Sequence, residues 1–276
     1  STPEAVAEMT ATWEDFLAVC QTINDEAGFP CFAGNRAQNY GDVWVNMVWS
    51  AGGNWFEDGA LVADSGVNVD ALDFLYEFWE ADLLSEDLEW TDGWYASLNA
   101  QLDGDIPPVA TVPIGAWMGG FLKNWAAVDT AGLWGVAPMP AFGEDGVRAS
   151  NQGGSSYVIP EQSDNQEAAW AFIEFMTSAE AQLAIFEYGD IFPGRISTYD
   201  DAIFTEADDY FAGQSVREIY AEAAQNIPAV NIYGEFYNVM QSNLDVAVQR
   251  VALGEESAED ALSEAADIIR METGLD

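Results

Sequence analysis

Short apolar segments alternate with longer amphipathic helices along most of the chain, and this alternation restricts the fold more than any other feature. The segments with the length and residue types of buried strands, each followed by a glycine or a proline, are 30–33, 109–112, 134–137 and 156–159. Apolar residues at helical spacing fill the stretches between them. Short strands between longer helices predict an α/β fold with a mainly parallel sheet.

The helices are predicted from capping patterns and apolar spacing. Thr12-Trp-Glu-Asp15 opens the first of them, and Ser257-x-x-Asp260 opens the last. Gly254 ends the helix before it. The remaining long helices are predicted over 70–83, 163–176, 177–189, 215–223 and 236–251.

One helix is predicted to stop and restart at once. Ser163-x-x-Gln166 and Thr177-x-x-Glu180 are both capping boxes, so a second helix begins where the first one ends. Gly189 is its predicted C-terminal stop. The loop that follows, Asp190-Ile-Phe-Pro-Gly-Arg195, contains one of the few basic residues of the chain.

Acidic residues outnumber basic ones by 48 to 7, which gives a formal net charge of −41. The acids are scattered, whereas a protein that binds polycations is expected to have them in runs. Such a charge repels itself at ordinary ionic strength, but at molar salt the screening length falls to about 3 Å. With Lys123 as its one lysine, the composition resembles that of proteins from extreme halophiles. We therefore expect folding at high salt, with a cation-binding purpose as the alternative.

The chain has two cysteines, Cys20 and Cys31. A disulfide that closes this short loop would fit an extracytoplasmic protein, and we expect the two to be bonded. The alternative is a pair of buried free thiols, because pairing cannot be read from sequence.

Several classes of chemistry lack their usual residues. There is no histidine, on which nucleophilic triads and most metal sites depend. The chain has no P-loop, no G-x-G-x-x-G, no G-x-S-x-G and no calcium loop, and it lacks the basic patches of nucleic-acid-binding proteins. We therefore expect no enzyme, no cofactor and no metal. A pair of carboxylates could hydrolyse a glycoside, so a carbohydrate-active enzyme is the catalytic alternative.

Aromatic residues beside glycines and amides in predicted loops are suited to sugar binding, because a ring face packs on the C–H face of a sugar. Three stretches carry a resemblance to a known family: Thr12–Phe16, Glu167–Gln182 followed by Phe192-Pro-Gly-Arg195, and Leu253–Leu262. In this order they resemble the extracellular solute-binding proteins of sugar ABC transporters, the maltose-binding-protein-like family. Asn226-Ile-Pro228 and the aromatic helix start after it are also similar to that family.

The resemblance implies a type II periplasmic-binding-protein-like architecture of two α/β lobes, with sugar bound between them. By analogy, residues 1–150 form the first part of the second, C-terminal lobe, and residues 196–276 form its C-terminal helices. Residues 151–195 correspond to a remnant of the first lobe, with the hinge crossovers. The second lobe is then nearly complete and the first is partial, because its longer N-terminal portion has no counterpart here.

Site residues follow from the resemblance position by position. In Ile114-Gly-Ala-Trp117, Trp117 matches the tryptophan that stacks on sugar. Arg195 matches the arginine of a Pro-x-Arg loop that donates to sugar hydroxyls. The other matched ligand-binding positions are Asn151, Gly153, Gly154, Tyr233, Glu235, Phe236, Asp42, Trp44 and Trp49.

Each of these assignments has a structural alternative. A tryptophan is usually part of a core, which applies to Trp117, Trp44 and Trp49 alike. Arg195 could simply pair with an acid. Gly153-Gly154 could be a plain turn.

The resemblance also implies the partners and the location of the protein. Its partners would be a mono- or oligosaccharide and the membrane permease subunits of an ABC importer. The expected location is extracellular or at the cell surface, at high salt. A binding protein for another small solute, such as a polyamine or a peptide, is the alternative.

Overall fold

A computed structural model describes residues 2–36, 40–100, 104–143, 146–229 and 234–275, without the side chains of residues 40–42. Helices dominate it. The α-helices are α1 (Pro3–Met9), α2 (Trp13–Ala27), α3 (Tyr40–Ser50), α4 (Gly66–Glu80), α5 (Asp92–Leu98), α6 (Trp117–Phe121), α7 (Gln166–Met176), α8 (Ala179–Gly189), α9 (Val216–Asn226), α10 (Tyr237–Ala252) and α11 (Ala258–Thr273). Among these described helices, none combines the length and the apolar character needed to cross a membrane.

The strands are short and lie in the first third of the chain. They are β1 (Phe32–Ala33), β2 (Phe56–Glu57), β3 (Ala60–Leu61) and β4 (Leu84–Ser85). β1 pairs with β4 in parallel, with Phe32 opposite Leu84, and β2 pairs with β3 as an antiparallel hairpin. The prediction of a strand at 30–33 is confirmed by β1.

The other predicted strands are wrong as regular strands, for reasons that differ between them. Residues 109–112 are held between prolines, and only the N–H groups of Ala110 and Thr111 bond along the β1 segment, to the carbonyls of Pro30 and Cys31. At 134–137, the side-chain amide of Gln214 bonds both the N–H and the C=O of Val136, in the place of a neighbouring strand. Residues 156–159 have no regular secondary structure either.

The predicted helix ends are confirmed at the two ends of the chain. Thr12 accepts a hydrogen bond from the Asp15 N–H at the start of α2, and Ser257 accepts one from the Asp260 N–H at the start of α11. The predicted break between two helices is also present. Its cap is Ser178 rather than Thr177, because Thr177 ends α7 and donates its hydroxyl to the Ile173 carbonyl.

The chain divides into two compact units by its internal contacts. Unit 1 comprises residues 1–113, 137–151 and 226–276, and unit 2 comprises residues 114–136 and 152–225. The chain therefore passes between them after Pro113, Val136, Asn151 and Gln225. This grouping differs from the predicted one, which placed 114–136 and 196–225 with the long flanking segments rather than with 152–195.

Unit 1 has a helical core around α10. This helix packs against α11, α3 and α4, and its buried residues lie on one face at helical spacing: Met240, Leu244, Ala247, Val248, Val251 and Ala252. Arg148 ties further segments of the unit together through four backbone carbonyls, those of Ala7, Thr10, Pro138 and Met139. Burial lowers the pKa of the Arg148 guanidinium.

Unit 2 has a smaller, aromatic core. Phe186 of α8 and Phe204 are buried together with Ala221 of α9, and Phe192 and Tyr199 pack against them. The cluster joins residues before and after position 195, which explains why 196–225 group with 152–195.

Cys20 and Cys31 are joined by a disulfide, as predicted. Both residues are fully buried, between α2 and the start of β1. The Cys31 N–H donates to the Leu83 carbonyl, which extends the pairing of β1 with β4 by one residue. The bond thus fastens α2 to the edge of the parallel strand pair.

Candidate functional site

The predicted site residues Trp117 and Gly153 lie side by side in unit 2. Trp117 is the first residue of α6 and is partly exposed. A Cβ atom placed on Gly153 would lie 4.0 Å from the indole Nε1 of Trp117. One placed on Gly115 would lie 2.8 Å from the same atom, which is closer than a real Cβ approaches. The glycines therefore leave room for the indole edge.

Gln152 completes this arrangement, and the sequence reasoning did not single it out. Its side-chain oxygen accepts a hydrogen bond of 3.1 Å from the Gly115 N–H. Its backbone carbonyl lies 2.9 Å from the position of a Gly115 Cβ. Gly115 belongs to the Ile114–Trp117 motif, and Gln152 lies between the matched positions Asn151 and Gly153, so their place in the sequence was the available signal.

Gly153 and Gly154 have backbone φ angles of +87° and +118°. Residues with side chains rarely adopt these values, so this turn needs glycine. Both residues are exposed. The predicted position Asn151 is the last residue of the middle segment of unit 1, and Gln152 is the first residue of the second segment of unit 2. The backbone of this turn thus requires glycine, and the turn also lies next to Trp117.

Arg195 is exposed and is bound to the helical break. Its Nε donates a 2.7 Å hydrogen bond to the Thr177 carbonyl at the end of α7. The neighbouring Gly194 N–H donates to the side-chain oxygen of Gln182 in α8. A cation at a helix C-terminus also interacts favourably with the helix dipole. The helix that stops and restarts therefore holds the arginine loop by hydrogen bonds.

Trp44 and Trp49 are corrected: both belong to the core of unit 1. Trp44 is 1% exposed, stacks on Trp55 and donates its Nε1–H to the Asn68 carbonyl. Trp49 is 7% exposed and donates its Nε1–H to the Pro228 carbonyl. Their rings are covered by the unit itself, so neither offers a face to a ligand.

The remaining predicted positions lie around the start of α10 or outside the description. Glu235 is exposed, and Phe236 is partly exposed at the residue that precedes the helix. The next residue, Tyr237, stacks on the buried Trp55 with ring centroids 5.9 Å apart. Tyr233 and the side chain of Asp42 lie outside the described residues.

Comparison with solved structures identifies the fold of the chain. Its fold is that of the type II periplasmic-binding-protein-like sugar binders, whose solved structures cover almost the whole chain. Among these is the galacto-N-biose-/lacto-N-biose I-binding protein of the ABC transporter from Bifidobacterium longum. It is 18% identical with a TM-score of 0.68, and the match covers 96% of this chain and 64% of that one. The predicted α/β class and type II architecture are confirmed, whereas the predicted mainly parallel sheet is not: the described strands form one parallel pair and one antiparallel hairpin.

The chain belongs to the bacterial extracellular solute-binding protein family: the sequence pattern of that family matches residues 4–183. The arabinooligosaccharide-binding protein of Halalkalibacterium halodurans is 28% identical over 233 residues, which are 82% of this chain and 50% of that protein. The lactose-binding protein of Rhizobium radiobacter is 27% identical over 245 residues, 86% of this chain and 54% of that protein. The chain thus spans about half the length of these curated relatives.

Proposed function

We propose that the protein binds a mono- or oligosaccharide outside the cytoplasm and delivers it to the permease subunits of an ABC importer by hinge closure. The observation that carries this proposal is the partly exposed Trp117 beside Gly115 and Gly153. An aromatic face with glycine next to it suits the flat C–H face of a sugar ring. The family is described as extracellular, and the curated relatives are named for the sugars they bind.

We expect Trp117→Ala to weaken sugar binding about 10- to 100-fold. Stacking on an aromatic ring contributes roughly 1–3 kcal/mol, by analogy with bases on aromatic side chains. The free energy of unfolding should fall only modestly, because Trp117 is not fully buried. The measurement is calorimetry in molar salt against a panel that includes arabinooligosaccharides and lactose, with a polyamine and a peptide alongside.

Trp125→Ala is the matched control, because Trp125 lies in the same unit and is 79% exposed. It should bind sugar like the unmodified protein. If Trp117→Ala binds sugar normally and loses several kcal/mol of stability instead, Trp117 is a core residue. Binding of the polyamine or the peptide alone would favour another solute, and hydrolysis of a glycan would favour an enzyme.

We also propose that unit 2 contains a partial first lobe whose remainder covers α7. This helix has no buried residue, although most of its residues are apolar. Trp170, Phe172 and Phe175 are 60%, 56% and 58% exposed, and Tyr157 and Val158 in the neighbouring segment are 50% and 78% exposed. A helix that is apolar on most sides is normally buried. The relatives are about twice as long as the part that they share with this chain.

Cysteine labelling tests the covered face. Because Cys20 and Cys31 are bonded to each other, Trp170→Cys introduces a single free thiol. A maleimide should label it quickly in the 276-residue chain and slowly in a longer chain that carries the remaining part of the relatives' fold. Equally fast labelling in both chains would show that nothing covers α7.

A further inference from the structure

Asp190 joins two cations in a cluster of five charges within unit 2. One carboxylate oxygen lies 2.9 Å from an Arg217 terminal nitrogen, and the other lies 3.4 Å from the Lys123 ammonium. Lys123 also lies 2.9 Å from Asp208. The side chains of Asp190, Asp208 and Arg217 are only 13–17% exposed. Glu206, whose side chain is 66% exposed, lies 3.8 Å from the other terminal nitrogen of Arg217, so two cations are enclosed by three carboxylates.

The cluster connects four segments of unit 2. Lys123 lies on a π-helical turn, Leu122–Ala126, that continues α6. Asp190 is the residue after α8, Arg217 belongs to α9, and Asp208 precedes the short 3₁₀ helix Asp209–Phe211. Arg217 also lies over the Phe186 ring, with its Cζ 4.7 Å from the centroid. π-Helical turns are rare and frequently occur at functional sites.

Gly119 and Gly120 let α6 pack directly against the cluster, because neither position has room for a Cβ atom. A Cβ atom on Gly120 would lie 2.6 Å from the Cβ of Asp190. One on Gly119 would lie 2.9 Å from the hydroxyl of Tyr220. Burial, followed by the charges of Asp190 and Asp208, raises the pKa of Tyr220, so the phenol there stays neutral. The position of α6 therefore depends directly on where Asp190 stands.

Lys123 is held in its charged form by the same contacts. Burial disfavours the ammonium, but its hydrogen bond to Asp208 and the two carboxylate charges outweigh this and raise the Lys123 pKa. A partly buried ion pair contributes little net stability, because desolvation offsets much of the attraction. The ion pair instead fixes a position: it holds the C-terminal end of α6, and Trp117 stands at the N-terminal end of the same helix.

We propose that Asp190 and Lys123 are positioning residues for Trp117. They hold α6 and its π-helical continuation in place, so that the indole at the first residue of α6 keeps its place beside Gly115 and Gly153. The role in ligand affinity rests on the proposed function, in which Trp117 contacts the sugar. The positioning of Trp117 itself does not depend on which ligand binds.

Fluorine NMR of protein labelled with 5-fluorotryptophan tests the positioning without ligand. The Trp117 resonance is identified by its loss in Trp117→Phe. Lys123→Met should shift or broaden this resonance, and Lys123→Arg should restore it because the charge is kept. Arg250→Met is the matched control: Arg250 also makes two ion pairs, to Glu256 and Glu264, and is 34% exposed against 32% for Lys123, but it lies in unit 1.

Calorimetry on the same variants tests the consequence for binding. Lys123→Met should weaken binding of the best sugar of the panel about tenfold or more, because misplacing a contact group by about 1 Å can have effects of that size. An unchanged Trp117 resonance in folded Lys123→Met, or an equal shift in Arg250→Met, would overturn the proposal. If circular dichroism shows that Lys123→Met does not fold, the same resonance and the same binding are measured on Asp190→Asn. The expected changes and the contradicting results are those given for Lys123→Met. Absence of any sugar binding by the unmodified protein refutes the proposed function, while the resonance still decides the positioning.

Discussion

Dilution from molar KCl to about 0.1 M salt is expected to unfold the protein cooperatively. The chain carries a net charge of −41, and over this change the screening length grows from about 3 Å to about 10 Å. Neighbouring carboxylates on the helix surfaces then repel one another over several side chains. Circular dichroism as a function of salt concentration measures the transition. This expectation rests on the composition, 48 acidic residues against 7 basic ones with a single lysine, which resembles that of proteins from extreme halophiles.

The basic residues are too few to relieve this repulsion, 7 against 48 acids, and each of them already has a partner within the structure. Their partners are Glu86 for Arg36, Asp208 for Lys123, backbone carbonyls for Arg148, the Thr177 carbonyl for Arg195, Asp190 for Arg217, Glu264 for Arg250 and Asp64 for Arg270. The remaining acids depend on dissolved cations for screening.

Two controls separate screening from other effects of salt. Sucrose at the same osmolality strengthens burial without screening charge, so it should not replace KCl. A triple variant, Glu14→Gln/Asp25→Asn/Glu26→Gln, removes three exposed acids from α2 and should fold at lower salt. A melting temperature that does not change between dilute and molar salt would refute the expectation.

Trp44→Ala is expected to lower the free energy of unfolding by about 3–5 kcal/mol, the range for truncating a large buried aromatic side chain. Trp44 is 1% exposed and stacks on Trp55, with centroids 6.5 Å apart. Its loss would also leave the buried Asn68 carbonyl without the indole donor. Urea denaturation in molar salt measures the change.

Two control variants accompany Trp44→Ala: one keeps an aromatic ring at position 44, and the other removes an exposed tryptophan elsewhere. Trp44→Phe keeps a ring in the stack and should lose less stability than Trp44→Ala, while Trp125→Ala should lose little because its side chain is 79% exposed. Sugar binding by folded Trp44→Ala should remain near normal. Loss of binding with unchanged stability would show that Trp44 contacts the ligand and is not a core residue.

Local signals predicted the helices well and the strands poorly. The caps at Thr12 and Ser257 depend on bonds between residues three positions apart, so the sequence displays them directly. A strand depends on partners that are distant in the chain. At 134–137 the partner is the side chain of Gln214, 78 residues beyond Val136, and no local pattern indicates it.

The candidate site shows the same division. The motifs around Trp117 and Gly153 were recognisable, and the structure places the two residues together. Trp44 and Trp49 stand in an equally aromatic stretch, yet α3 buries them. Which tryptophan faces solvent depends on the elements packed over it, and Asn68 and Trp55 lie beyond any local pattern.

The sequence by itself determined the helix starts at Thr12 and Ser257, the net charge, the lack of histidine and the resemblance to a binding-protein family. These properties reside in residue types or in bonds between near neighbours. Tertiary structure alone decided that Gln152 lies against Gly115 beside Trp117, that Asp190 joins Lys123 to Arg217, and that the apolar helix α7 is exposed. Those facts arise from contacts between segments far apart in the chain, which local patterns do not specify.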